Sequence, residues 1–266
     1  MIKSNVFKIL TTAVLSFSLI SCGGNDEKIE EKPKSEYIKF CERLNARLND
    51  YERNLILTNK SKTFLLNSEI LFNNVKYVPV YLGTNEYAFN EEEKCSIQEA
   101  INEVNNQITF FKFNLHSYGF YKPTYSINNI IIKNIKMDSE TATTIKLGEN
   151  VYYYDKKNGF EGLGLNSSIS LYTTDIQNGI ESGIYPNPNN KTYNSLLKSV
   201  LKHELGHCFG LNDLYCPNPN WRYYQGKTIM SDINYYDTVS KSYKMIKDFT
   251  SLDIQVLNKI YNYHED

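Results

Sequence analysis

Apolar residues recur along this chain at two periods, and those periods mark out its elements. From Glu36 to Ile56, Tyr37, Phe40, Cys41, Leu44, Leu48 and Tyr51 return every three or four positions, the spacing of an amphipathic helix. Ser96 to Phe111 repeats the rhythm with Ile97, Ala100, Ile101, Val104 and Ile108. Leu196, Leu197, Val200 and Leu201 carry it into His203 and His207, with Thr192 as a candidate cap and Gly210 as the stop. A last helix is marked by Leu252, Ile254, Val256, Leu257 and Ile260, and Thr250 and Asp253 stand before it at capping-box spacing. The other period belongs to strands: Val75 to Leu82, Asn129 to Met137, Val151 to Tyr154, and Leu165 to Thr173, where Ile169 and Leu171 alternate with serines. Gly83 to Asn90 is turn-prone, and there is no internal repeat. Strand, helix, several strands, helix, irregular stretch, helix is an α+β order, with a main domain over residues 71–266. Residues 36–70 precede it as a helical extension or pro-segment, with a packed extension as the default reading.

The first residues change the picture from a cytosolic domain to an exported one. Lys3 and Lys8 give a positive start, and Ile9 to Ile20 is apolar but too short to span a bilayer. The run ends in Leu19-Ile20-Ser21-Cys22, which resembles a bacterial lipobox. That resemblance implies a lipoprotein signal peptide over residues 1–21, lipidation of Cys22, and residence in the bacterial cell envelope, at the outer membrane or cell surface. An ordinary secretory signal is the plainer alternative. Residues 22–35 are polar and charged and read as a flexible tether.

Composition narrows the partners. The 266 residues carry a formal net charge of −1, which excludes a basic nucleic-acid or membrane-binding face, and a monomer is expected. Beyond Cys22 there are four cysteines, Cys41, Cys95, Cys208 and Cys216. An even number in an oxidising compartment predicts two disulfides, with three connectivities open. Cys208 with Cys216 closes the shortest loop and would brace Asp213; Cys41 with Cys95 would then tie the N-terminal helix to the domain. The rival is a latency role, with the Cys41 thiol capping a metal.

Candidate chemistry is concentrated in HELGHCFGLND, His203 to Asp213. Histidines four apart on a helix share one face and can share one ion. Glu204, beside the first, is placed to take a proton from a metal-activated water. A positioned carboxylate contributes about 10²–10⁴-fold in such a step. A catalytic zinc needs a third protein ligand. A glutamate far downstream has almost no candidates, since only Glu265 follows His207. The remaining route is a glycine stop at Gly210 that turns the chain back, bringing Asp213 round as the third ligand. His116 and His264 are the only other histidines, and neither has helpful spacing; His116 is expected in a loop and His264 in solvent.

These residues resemble the metzincin zinc proteases, whose motif HExxHxxGxxH takes Asp in the last place in snapalysin-like members. His203, Glu204, His207, Gly210 and Asp213 match that Asp form. Gly226 to Asp232, GKTIMSD, resembles the metzincin Met-turn, with Met230 as the floor of the site. The resemblance implies a Zn²⁺ cofactor, Glu204 as catalytic base, and protein or peptide substrates. It also implies a metzincin-like fold: a twisted mixed sheet, two long helices above the zinc cleft, and an irregular lower part ending in a helix. The strand near Ser168 to Thr173 would pair with extended substrate. Astacin-like and serralysin-like members place a tyrosine two residues after the Met, where this chain has Asp232, with Tyr235 and Tyr236 close by. An aspartate ligand lowers the formal site charge to +1, so a less acidic bound water is expected than with three histidines. The alternative is a non-catalytic surface lipoprotein that keeps a metzincin-like zinc domain for partner binding, against which an intact Glu204 argues.

Overall fold

The computed structural model describes residues 36–58, 62–67, 70–71, 75, 77–116, 129–136, 147–155, 162–183, 185, 192–215 and 220–262. All belong to one unit, residues 34–266. The signal segment, Cys22, the tether, Cys216 and His264 lie outside the described residues, among which no helix is long and apolar enough to cross a membrane.

The elements in chain order are α1 (Glu36–Arg47), α2 (Asp50–Asn54), β1 (Tyr77–Leu82), α3 (Glu91–Gln107), β2 (Lys112–His116), β3 (Ile130–Asn134), β4 (Gly148–Asp155), β5 (Gly162–Leu171), α4 (Thr173–Glu181), α5 (Thr192–Cys208), α6 (Trp221–Tyr224), β6 (Asn234–Asp237), β7 (Ser242–Met245) and α7 (Ser251–Tyr261). The fold is α+β. Five strands form a mixed sheet in the order β2-β1-β3-β5-β4. The first four run parallel, and β4 runs antiparallel to β5 at the edge. Val78, Val80, Ile130, Ile132, Ile169 and Leu171 are fully buried, one face of each strand supplying the core. β6 and β7 form a separate hairpin.

Two 17-residue helices, α3 and α5, lie side by side. Lys198 bridges Glu99 and Glu103, and the buried Lys202 reaches Glu103 and Asp248. α3 is tied to β2 by Asn105, whose carboxamide accepts from Phe113 N–H at 2.7 Å and donates to Phe113 O at 2.8 Å. The last turns of α5 are buried all round, from Ser199 through Leu211. Phe209 sits where this helix ends, ringed by Phe110, Phe111, Phe113, Phe249 and Tyr261.

Several sequence expectations change. The helix expected over residues 36–56 is two helices, because Asn49 caps a new one: its side chain accepts from Glu52 N–H and Glu52 returns the bond. Asn90 and Glu93 make the same box, so α3 starts at Glu91 rather than Ser96. β5 is an interior strand covered on both sides, so it cannot pair with an added chain as expected; β4 holds that edge. His116 ends β2, stacked on Tyr81, and is not in a loop.

The expected disulfides are also corrected. Cys41, Cys95 and Cys208 are free thiols. Cys41 points into the core with Sγ 4.0 Å from Phe64 O, and burial pushes its thiol up to about 12; it is therefore placed neither for Cys95 nor for capping a metal. Cys95 is exposed on α3. Cys208 faces β4, where Asn150 Nδ2 donates to its sulfur at 3.1 Å, so it is committed to the helix–strand seam and not to a brace for Asp213.

Candidate metal centre

His203 and His207 present their imidazoles from adjacent turns of α5, with ring centroids 5.0 Å apart. Each Nδ1 meets a backbone carbonyl: Ile229 O at 2.8 Å for His203 and Leu211 O at 2.9 Å for His207. A carbonyl oxygen only accepts, so each Nδ1 carries the proton and each Nε2 is left with a lone pair. Both Nε2 atoms face Asp213 Oδ1, at 3.1 Å and 3.3 Å. That oxygen is buried and has no hydrogen-bond donor.

With both imidazoles neutral, three acceptor atoms converge, an arrangement that repels unless a proton or a metal cation sits among them. Ligand atoms around a tetrahedral zinc, at bond lengths near 2.0–2.1 Å, stand about 3.3 Å apart. The observed spacings fit that donor set, and these three side chains are the group of potential ligands that clusters among the described residues. A divalent metal ion fits the site, and proton binding shows the same demand for positive charge. Burial alone would lower the His203 pKa, but the Asp213 carboxylate and the charge of Glu204 reverse this and hold it up at about 9. Burial would raise Asp213, and the two imidazoles hold it well below the usual carboxylate range instead.

Glu204 is buried next to this cluster, and burial raises its pKa despite the two nearby imidazoles. Its position is set by the edge strand. Asn150 Nδ2 donates to Glu204 O at 2.8 Å. At Gly148 a Cβ would lie 2.5 Å from Glu204 Oε1 and 2.7 Å from Val200 Cγ1, so only glycine lets β4 come this close to the carboxylate.

Beneath the helix, Met230 is fully buried, and a Cβ at Gly206 would lie 2.5 Å from its sulfur. The turn carrying Met230 is pinned by Asp253, which forms the capping box of α7 with Thr250. The Asp253 carboxylate accepts from the Thr228 hydroxyl, from Ile229 N–H at 3.0 Å and from Thr250 N–H at 2.8 Å. The same turn delivers Ile229 O to His203, and its Met230 O accepts from Leu214 N–H at 2.8 Å, beside Asp213.

A cleft of about 840 Å³ opens over the cluster, lined by Leu147, Gly148, Asn150, Tyr185, Tyr215 and Ile233 among others. The sequence-derived His203, Glu204, His207 and Asp213 all come together in it, with Met230 under the helix. His116 is outside the cluster. Sequence reasoning missed Tyr215, whose hydroxyl donates to Asp213 Oδ2 at 3.1 Å. Burial, then the Asp213 charge, raises its pKa to about 12. Its place two residues past the candidate ligand was the available signal.

No protein-family model matches the chain, and no curated protein does. Among solved structures it is similar to the structure of myroilysin, at 11% identity and a TM-score of 0.37, over 75% of this chain and 99% of that one. That likeness is too loose to bear on function.

Proposed function

We propose that the chain is a zinc-dependent endopeptidase of metzincin type, with His203, His207 and Asp213 as metal ligands and Glu204 as catalytic base. The observation that supports this most is the convergence of the His203 and His207 Nε2 atoms on Asp213 Oδ1, with the buried Glu204 carboxylate beside them. A purely structural site would close a fourth protein ligand around the metal and would gain nothing from Glu204. Zinc held there supplies Lewis acidity, polarising a carbonyl and making water acidic near neutral pH. Glu204, raised by burial, accepts the proton that water gives up and returns it to the departing amine. Tyr215 lines the cleft and donates to Asp213 Oδ2, so its role in the proposed site is to hold the third ligand in place. The cleft-lining residues 147–150 belong to or adjoin the edge strand β4, so an extended peptide can add there by backbone hydrogen bonds. Anchored through Cys22 at the envelope, the enzyme would act on proteins within reach of its tether.

The test joins metal analysis with turnover of casein or a peptide library. Wild-type protein should hold one zinc and lose activity with a chelator. Glu204→Gln should keep the zinc and lose about 10²–10⁴-fold in kcat/KM. Equal zinc content with no cleavage by either protein would instead favour the non-catalytic lipoprotein.

A further inference from the structure

Resting on the metal-centre reading, we infer that residues 55–57 are the seat of the third ligand, so that the N-terminal segment is a working part of the site rather than a removable pro-segment. Ile56 forms an antiparallel bridge with Leu211. Leu57 N–H donates to Gly210 O at 2.7 Å, and Asn212 N–H donates to Leu55 O at 3.0 Å. These bonds bracket the stretch that turns from α5 to Asp213. They also fix Leu211, whose carbonyl orients His207. Two of the three ligands therefore take their position from a segment some 150 residues earlier in the chain.

Gly210 shows how closely the two stretches are fitted. Its φ is +85°, and a Cβ there would run into Leu65 O. Leu65 N–H in turn donates to Leu57 O at 2.7 Å. The segment is itself fastened at several points. Tyr37 Oη donates to Phe64 O at 2.6 Å and accepts from Leu66 N–H at 2.9 Å. Glu52 accepts from Gln255 and Lys259 of α7, each at 2.6 Å. Asn67 donates to Cys208 O at 3.3 Å. An inhibitory pro-segment would fill the cleft, whereas among the described residues before β1 only Leu57 lines it. The side chains of Leu44, Leu48, Leu55, Ile56 and Leu66 are core.

The test uses the full chain and reads zinc affinity by chelator competition, so it is independent of proteolysis. Leu57→Pro removes one donor to Gly210 and should weaken zinc binding by about 10–100-fold, the usual cost of a lost supporting contact. Asn105→Ala, which loosens α3 from β2 far from the ligands, should lower Tm and leave Kd unchanged. Amide exchange on the wild-type chain covers the case in which Leu57→Pro fails to fold. Because coupling is reciprocal, zinc should slow exchange at Leu57 and Asn212 together. The inference is overturned if Leu57→Pro binds zinc as tightly as wild type, if zinc protects Asn212 but not Leu57, or if cleavage near Lys60 or Lys62 raises activity. A wild-type chain that binds no zinc would overturn the metal centre as well. Tight zinc binding without peptide cleavage would remove only the protease reading.

Discussion

The two proposed ligands on α5 and the one that comes after it reach the same point by different physics. His203 and His207 are placed by helical periodicity, and the helix is held by apolar burial along Leu196, Leu197, Val200, Leu201 and Leu205. Each such side chain contributes about 1.5–3 kcal/mol, with no need for exact partners. Asp213 has no regular element to hold it. Its chain direction comes from backbone hydrogen bonds to residues 55–57 on one side and to Met230 on the other, and Met230 is itself positioned through Asp253. The two imidazoles are brought to one face by a local pattern and are then oriented by the distant carbonyls of Ile229 and Leu211, while Asp213 is placed by distant, directional contacts alone.

The sharpest way to break this contrast is Asp253→Ala. It strands the Thr228 hydroxyl and the Ile229 and Thr250 amides, and a buried group left unpaired costs about 1–3 kcal/mol. A total loss of about 3 kcal/mol in urea unfolding is expected, with zinc affinity falling while helical circular dichroism persists below the transition. Unchanged zinc affinity in the folded variant would show that neither Asp213 nor His203 depends on that turn. Gly148→Ala probes the helical half. The new Cβ displaces the Glu204 carboxylate and crowds Val200, so kcat should fall by about 10–100-fold, or roughly 1.4–2.7 kcal/mol of barrier, with Tm lowered and zinc affinity near wild type.

A further effect comes from pH. Without metal, His203 is held protonated up to about 9 by Asp213, a value raised above that of the unfolded chain. That contribution to stability is complete below about pH 6.5 and is lost as pH rises through 9. Zinc must displace the same proton, so affinity should climb by about tenfold per unit between those values. Chelated and zinc-loaded protein should therefore show opposite pH trends in Tm over this window, and parallel trends would count against the site. The smallest effect is at Glu52. Burial would raise its pKa, but Lys259 and the Asn49 amide hold it below the usual value, so its contribution is present at neutral pH and fades as pH falls below about 4.3. Glu52→Gln, which keeps a neutral acceptor, should cost about 1 kcal/mol at pH 7, less at pH 3, as read by thermal melts at the two pH values.

The same contrast explains what could be read from the sequence. The apolar rhythm gave α3, α5, α7 and most of the sheet, and HELGHCFGLND with the downstream Met230 gave the cluster. What carried no side-chain pattern stayed hidden. Carbonyls of Leu211 and Ile229 orient the imidazoles, and backbone has no letter in the sequence. β2 and the β6–β7 hairpin are short and weakly patterned. α4 begins in Thr173-Thr174-Asp175, which resembles a strand's exit more than a helix. The edge strand could not be told from its neighbour, because order within a sheet is a tertiary fact. Two helix starts were legible and overlooked: Asn49 with Glu52 and Asn90 with Glu93 both have the spacing of a capping box.

The bond from Lys259 to Glu52 joins residues 207 positions apart, and that from Asn67 to Tyr261 spans 194. Closures of that length form late, since the entropy of a large loop must be overcome before any contact repays it. A chain emerging from the ribosome therefore has its two histidines long before it has a place for the acid. A metal site built this way takes its final shape only once α7 has docked against Glu52.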